Sequence, residues 1–425
     1  MERFRHTKEH LVVDRTSPAP VLDVKIKEKE SKRVLGEPAS FIRQHVKDNP
    51  FAYIPGAKAE VNCDTPYDVM FSQLSPFGPL ASNEMPYPPS NHVQEMFKRT
   101  APFMGQYVPV VRPLEQKIAR YIGVQEENVL ASNGGESIIR LMVNAFEGPI
   151  VYTSPGFVKY PVEAGQAGVE QHGVQLNDNF SVPVDEVVKT AEEKDAGLIL
   201  IDSPNNPTGK ALGEKDLRKI LDTGRPVLID EAYFEFKGKR KPDGIYDEKA
   251  GFDASKLLNE YKNLFVLRSM SKVHAMAGLR LGYLLGDPVT LNYLRGQNLT
   301  FPITTPSFFT ALAAFDEENL THMRENVGKV VDERKRIHTE LNKIEGVEAI
   351  DSQTNFLLVE TTKLGVSPGE LFKRMEQEDI YIRPMPEFKG KKGRSFSRIT
   401  IGTPEMNNKV LEILREMSDQ RSSGR

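Results

Sequence analysis

The chain has 425 residues, 39% of them hydrophobic and 27% charged, with a formal net charge of −3. That length exceeds one compact core and predicts a large domain with a smaller companion. Lys+Arg 56 against Asp+Glu 59 leaves no global field to gather polyanions, so no nucleic-acid partner is expected and anion recognition falls to individual arginines. Cys63 is the sole cysteine, which excludes an internal disulfide and a thiolate-built metal centre and suits a reducing cytoplasm. MERFRHTKEHLVVDRTSPAP lacks the apolar core of a secretory signal, and no segment approaches the ~20 apolar residues of a membrane span. A soluble cytoplasmic protein with no metal and no membrane partner is the expectation.

In chain order, residues 1–40 form a charged extension with KIKEKESKR at 25–33. Residues 41–106 read as an N-terminal arm and part of the small domain, with Pro- and Gly-rich stretches (FAYIPG, SNEMPYPPS) that suit an ordered irregular path. From 107 to 306 the pattern becomes that of a large α/β domain. A helix is predicted over 112–122, and short apolar strands over 129–130, 150–152, 198–201, 227–229, 264–267 and 281–285. Nearly continuous apolar runs of this kind suit strands buried on both faces of a mostly parallel sheet flanked by helices. Residues 307–425 read as a smaller α+β domain. Met323, Val327, Val330, Val331, Ile337 and Leu341 fill one helix face, strands follow over 355–359 and 397–401, and a last helix follows Pro404.

The informative polar residues follow the ends of the apolar strands, where ligands bind in open α/β sheets. ASNGGES brings the backbone of Gly134 and Gly135 to a helix start, where an anion fits. DSPNNPTG is a rigid turn that displays amide side chains, and DEAY leaves Asp230 at the exit of a buried strand, where a carboxylate needs a cationic partner or strong hydrogen bonds. RSMSKVHAMAGLRLGY sets Arg268, Ser269, Ser271, Lys272 and Arg280 within a short span, and a desolvated lysine beside other cations becomes a nucleophile toward a carbonyl. Taken singly, each feature has a structural explanation. One ligand explains them together, because pyridoxal phosphate carries a phosphate, a cationic ring nitrogen, a phenolic oxygen and an aldehyde.

From about residue 41 to 416 the chain resembles the fold type I pyridoxal-phosphate aminotransferases of class I/II, and within them it is most similar to the histidinol-phosphate aminotransferase family. The resemblance rests on YIPG (53–56), LASNEMPYPPS (80–90), SPNNPTG (203–209), DEAYFEF (230–236), SMSK (269–272), GLRLGY (278–283) and RITIGTPEMN (398–407). It implies that Lys272 forms the Schiff base and shuttles a proton, and that Asp230 keeps the ring nitrogen protonated. Tyr233 and Asn206 would meet the phenolic oxygen, while Gly134, Gly135 and the backbone of Glu136, with Ser269 and Arg280, would hold the phosphate. Phe157 would stack on the ring. Tyr107 would reach the phosphate of a neighbouring subunit and Tyr53 would close over the substrate, which implies a homodimer with shared sites. Arg398, Arg383 and Asn355 would bind the substrate.

Transamination between a small-molecule amino donor and a 2-oxo acid acceptor is the activity the resemblance implies. The same scaffold supports decarboxylation, elimination, cyclisation or oxidation, and a non-catalytic binding protein of this fold stands as a third reading. The intact set of Lys272, Asp230, Tyr233, Asn206 and Arg280 argues against the third. The chain departs from the resemblance in its N-terminal extension and in a charged insertion around 237–253.

Overall fold

The computed structural model describes residues 80–385 and 393–423, so the charged extension, Tyr53 and Cys63 lie outside the described residues. Chain order begins with α1 (Asn91–Arg99), capped where the Ser90 hydroxyl accepts from the Val93 amide, and α2 (Arg112–Ile122), closed by a left-handed Gly123. The larger sheet is built from β1 (Val129–Ser132), β2 (Ile150–Ser154), β3 (Gln171–Gln175), β4 (Leu198–Asp202), β5 (Val227–Asp230), β8 (Leu264–Ser269) and β9 (Gly282–Leu285). Its seven strands run in the order β1-β9-β8-β5-β4-β2-β3. Only β9 runs against its neighbours.

The central strands read as unbroken apolar runs because their side chains divide between two cores. Ile199, Ile201, Val227, Ile229 and Val266 enter one, and Leu198, Leu200, Leu228, Phe265 and Leu267 enter the other. β3 escaped the sequence reading. Its sequence, QHGVQ, belongs to an edge strand, which keeps only Val174 buried and needs no continuous apolar run. Strand β2 runs to Ser154, two residues beyond the apolar stretch.

The second sheet, order β10-β11-β13-β12, is antiparallel throughout: β10 (Glu348–Ile350), β11 (Phe356–Glu360), β12 (Arg383–Met385) and β13 (Phe396–Thr400). The two expected strands are the central pair, each one residue out of the expected frame. β10 and β12 are three residues long, too short to show a period. The long helix Glu317–Leu341 buries the predicted face, and a helix over Pro404–Ser423 ends the described chain. Residues before 107 join both parts: α1 packs on the helix Thr305–Ala314, and the Leu80 carbonyl accepts from the Thr400 amide at 2.9 Å.

The charged insertion is tied down at both ends. Lys237 Nζ donates to Glu231 Oε1 at 3.0 Å, and Arg268 Nη2 donates to Glu231 Oε2 at 2.8 Å and to Asp253 Oδ1 at 2.6 Å. All four side chains are buried, and the Arg268 guanidinium lies 3.7 Å from the Phe234 ring centroid. Between these ends a small hairpin, β6 (Lys239–Arg240) and β7 (Tyr246–Asp247), turns at Gly244 with φ 84°. Arg240 Nε reaches Asp332 of the long helix at 2.7 Å. Among the described residues no helix is long and apolar enough to cross a membrane.

Candidate active site

The parallel strands β1, β4, β5 and β8 end together at Ser132, Asp202, Asp230 and Ser269, and the antiparallel β9 starts at that same end. Gly282 is in register with both Ser132 and Ser269. A Cβ there would lie 2.9 Å from the Gly134 carbonyl carbon and from the Gly135 nitrogen, so only glycine lets the turn pack so closely. That turn opens the helix Gly134–Ala145, with Gly134 at φ 74°. A Cβ on Gly134 would stand 3.1 Å from Arg280 Nη2, which places the guanidinium against the helix start. Arg280 itself has φ 52°, an uncommon backbone state for arginine, and donates from Nη1 to the Ala277 carbonyl at 3.2 Å. Backbone N–H groups, the positive end of the helix dipole and a guanidinium make an anion cradle. Glu136 contributes backbone only, because its carboxylate faces Lys159 Nζ at 2.6 Å. Ser269 ends β8 beside the cradle, half-buried, and its hydroxyl accepts from the Ser271 amide at 3.2 Å.

Deeper in the sheet lies Asp230. Its Oδ1 accepts from the Ala232 amide at 3.0 Å and its Oδ2 from the Tyr160 hydroxyl at 3.2 Å. Burial raises its pKa to about 6, with these two hydrogen bonds opposing. Phe157 is half-buried and meets the Tyr160 ring edge-to-face at 5.8 Å. In register with Asp230 on the neighbouring strand is Asp202, which accepts from Asn205 Nδ2 at 2.8 Å and from the Asn206 amide at 2.7 Å. Burial first, with Asp230 adding to it, pushes this carboxyl up to about 7.

Lys272 Nζ donates to the Ser82 carbonyl at 2.7 Å. Burial, then the charges of Arg398 and Arg280, bring its pKa down to about 8. Of the two arginines expected beside it from adjacency in sequence, Arg280 acts on it and Arg268 does not. Arg268 turns to the other face of the sheet and spends its charge on Glu231 and Asp253, because alternate strand residues point to opposite sides. Arg398, 126 positions further along by numbering, takes its place.

Arg398 Nη1 donates to Asn206 Oδ1 at 2.6 Å, and its Nη2 donates to the Ala81 carbonyl. Arg383 is its register partner on β12, so both arginines stand on one face of the small sheet. Asn355 is fully buried and donates to the Asn83 carbonyl at 2.9 Å, so it secures the chain beside the site. Tyr233 accepts from Asn83 Nδ2 at 2.8 Å. The structure thus brings Lys272, Asp230, Tyr233, Asn206, Arg280, Arg398 and Asn355 to one region. Tyr107 stands apart, 74% exposed and stacked on Phe301 at 4.1 Å. His274, two residues after Lys272, is buried edge-on to Phe315, and burial lowers its pKa to about 4.

Sequence reasoning missed Asn83, Asp202 and the carbonyls of Ala81 and Ser82. Both segments were in view as motifs, yet their partners are distant in sequence, with Asn83 and Thr400 separated by 317 positions. Tyr160, which binds Asp230, belongs with them.

The donor set fits pyridoxal phosphate. The glycine turn, which a Cβ would crowd, presents a helix start and a guanidinium to an anion, a buried carboxyl is available to a cationic ring nitrogen, and an amine of reduced basicity stands with them. Such a constellation on a mostly parallel seven-stranded sheet defines a cofactor-dependent transferase of fold type I. Residues 77–414 match the family model for aminotransferase class I and II, and the chain belongs to that family. It is a pyridoxal-phosphate-dependent aminotransferase.

Among its relatives are the histidinol-phosphate aminotransferase of Thermoanaerobacter sp. (strain X514), 32% identical over 79% of this chain and 90% of the relative. That of Cronobacter sakazakii is 33% identical over 79% and 89%. The crystal structure of the histidinol-phosphate aminotransferase from Clostridium acetobutylicum superposes with a TM-score of 0.71 at 25% identity, covering 80% of this chain and 99% of that one.

Proposed function

We propose that the chain moves an amino group from a phosphorylated amino alcohol of the histidinol-phosphate type, or from an amino acid, to a 2-oxo acid. The observation that carries this reading is the pairing of Arg398 and Arg383 across β12 and β13. Two guanidinium side chains on one face of the small sheet concentrate positive charge there, which attracts an anionic substrate. The names of the relatives point to the same class of donor.

Bound pyridoxal phosphate supplies an aldehyde that accepts the amino group and a ring that withdraws the electron pair left when the substrate loses its α-proton. Lys272 would hold the cofactor through its amine and, once freed by the substrate amine, would take the α-proton and return it to the cofactor carbon on the far side of the nitrogen. Asp230 holds a proton on the ring nitrogen, an attraction that strengthens as negative charge develops. Asn206 and Tyr233 direct hydrogen bonds to the phenolic oxygen, and the turn of Gly134, Gly135 and Glu136, with Ser269 and Arg280, binds the phosphate. Phe157 covers the ring. Arg398, with Arg383, orients the anionic end of the substrate, and Asn355 supports the segment beside it.

The test is a half-reaction. Holoenzyme mixed with histidinol phosphate or a single amino acid, and no acceptor, converts one equivalent of cofactor to its amino form and stops. Repeated turnover without an acceptor would replace this reading by decarboxylation, elimination, cyclisation or oxidation. In the same assay Arg398→Ala raises KM for the anionic donor roughly 10- to 100-fold, the worth of its charge-assisted hydrogen bonds, with the cofactor still bound.

Phe103, Met104, Tyr107, Val110, Leu299 and Phe301 expose large apolar area on segments 103–110 and 299–301, with Tyr107 and Phe301 in contact. A patch of this kind suits a subunit interface. We assign it to a homodimer in which Tyr107 reaches the partner's phosphate and Tyr53, outside the described residues, its substrate. An active monomer by light scattering would remove both roles. The single cysteine fits a cytoplasmic setting.

A further inference from the structure

The segment Leu80–Asn83 meets the site at several points, and one contact fixes the direction of a proton. Asn83 is 1% exposed. Its backbone N–H donates to Thr400 Oγ1 at 3.1 Å, and the Thr400 hydroxyl in turn donates to Asn83 Oδ1 at 3.1 Å. Thr400 is equally buried, so turning the carboxamide over would strip its hydroxyl proton of this acceptor, a costly loss in the interior. The carboxamide is thereby locked with Nδ2 toward Tyr233, to whose hydroxyl oxygen it donates at 2.8 Å. A carboxamide nitrogen has no acceptor capacity. The Tyr233 oxygen must accept on that side, and its only proton points elsewhere.

We propose that Asn83, held by Thr400, is a positioning residue that makes the Tyr233 hydroxyl a dedicated donor to the cofactor's phenolic oxygen. This rests on the reading of Tyr233 given above. Charged groups around the hydroxyl are Arg398 from β13, Asp230 from β5 and Asp202 from β4. Asp230 is hydrogen-bonded to Tyr160, Asp202 to the Asn206 amide and Arg398 to Asn206 Oδ1, whereas Asn83 Nδ2 is bonded to the Tyr233 oxygen itself.

The readout is the pH midpoint of the visible absorption band of the bound cofactor. A donor on the phenolic oxygen lowers the proton affinity of the neighbouring imine nitrogen, so losing that donor moves the midpoint up. Asn83→Asp replaces the donor facing Tyr233 by an acceptor that takes its proton, and the midpoint rises by about 1 to 2 pH units, the worth of one hydrogen bond to a charged group. The added carboxylate also acts through space, and the Tyr233→Phe background separates the two effects. There Asn83→Asp shifts the midpoint by less than half as much. An equal shift in both backgrounds, or none in the wild type, overturns the proposal. Should Asn83→Asp fail to take up cofactor, Thr400→Val decides: freeing the carboxamide raises the midpoint, and an unchanged midpoint overturns the proposal. A Tyr233→Phe protein that titrates like the wild type refutes the role of Tyr233 itself. A Tyr233→Phe shift with no response to Asn83→Asp refutes only the role of Asn83.

Discussion

Lys272→Met is expected to lower kcat by about 10,000-fold, because on the proposed assignment one substitution removes both the covalent anchor and the base that moves the α-proton. Steady-state assay of the reconstituted variant checks this, and activity above a hundredth of wild type would refute the assignment. The phosphate cradle is untouched, so the variant still takes up cofactor, without the visible band that depends on the lysine amine. A second readout runs the other way. In the ligand-free protein the pKa of Lys272 is held down at about 8, below its unfolded value. The unfolded chain then binds more protons than the folded one between about pH 8 and 10.5, so stability rises with pH across that window and carries a full penalty below it. That penalty is on the order of 3 kcal/mol. Lys272→Met relieves it, and ligand-free variant at pH 7 unfolds at a higher temperature than ligand-free wild type.

Asp230→Asn is the second large effect, a fall in kcat of about 100- to 1000-fold, the usual worth of a preorganised group facing developing charge. Among the described residues this carboxyl's hydrogen-bond partners are an amide and a tyrosine hydroxyl, which oppose but do not cancel the burial that raises its pKa to about 6. On the proposed assignment, a cationic ring nitrogen would supply its counter-charge. The asparagine variant keeps the shape and loses the charge, so cofactor affinity falls alongside kcat. Tyr160→Phe withdraws one hydrogen bond from the same carboxyl and serves as the graded control. An asparagine variant within tenfold of wild type in kcat would assign the ring nitrogen to another group.

Much of this was legible because strand ends carry the chemistry. Asp230 and Lys272 each sit beside an apolar run that announces its own strand, and Gly134 opens the helix after another. β3 and β12 were illegible for a physical reason: an edge strand, or a three-residue strand begun by Arg383, buries too little to leave a pattern. Arg268 misled because adjacency along the chain does not reveal which face of a sheet a side chain takes. Asn83 lay inside a recognised motif, yet its role depends on Tyr233 and Thr400, which only folding brings to it.

The strap from Lys237 to Asp253 divides into parts of unequal freedom. Shortening it at either end would remove Lys237 or Asp253 and leave the buried Glu231–Arg268 pair with one charge unbalanced, a cost of up to about 3 to 5 kcal/mol, adjoining Asp230 through Glu231. Its middle, Lys241 to Ile245, is exposed and turns on Pro242, Asp243 and Gly244. Drift in length and sequence is cheap there and dear at the two ends, so variation among relatives should gather at the hairpin tip while the charged posts stay fixed.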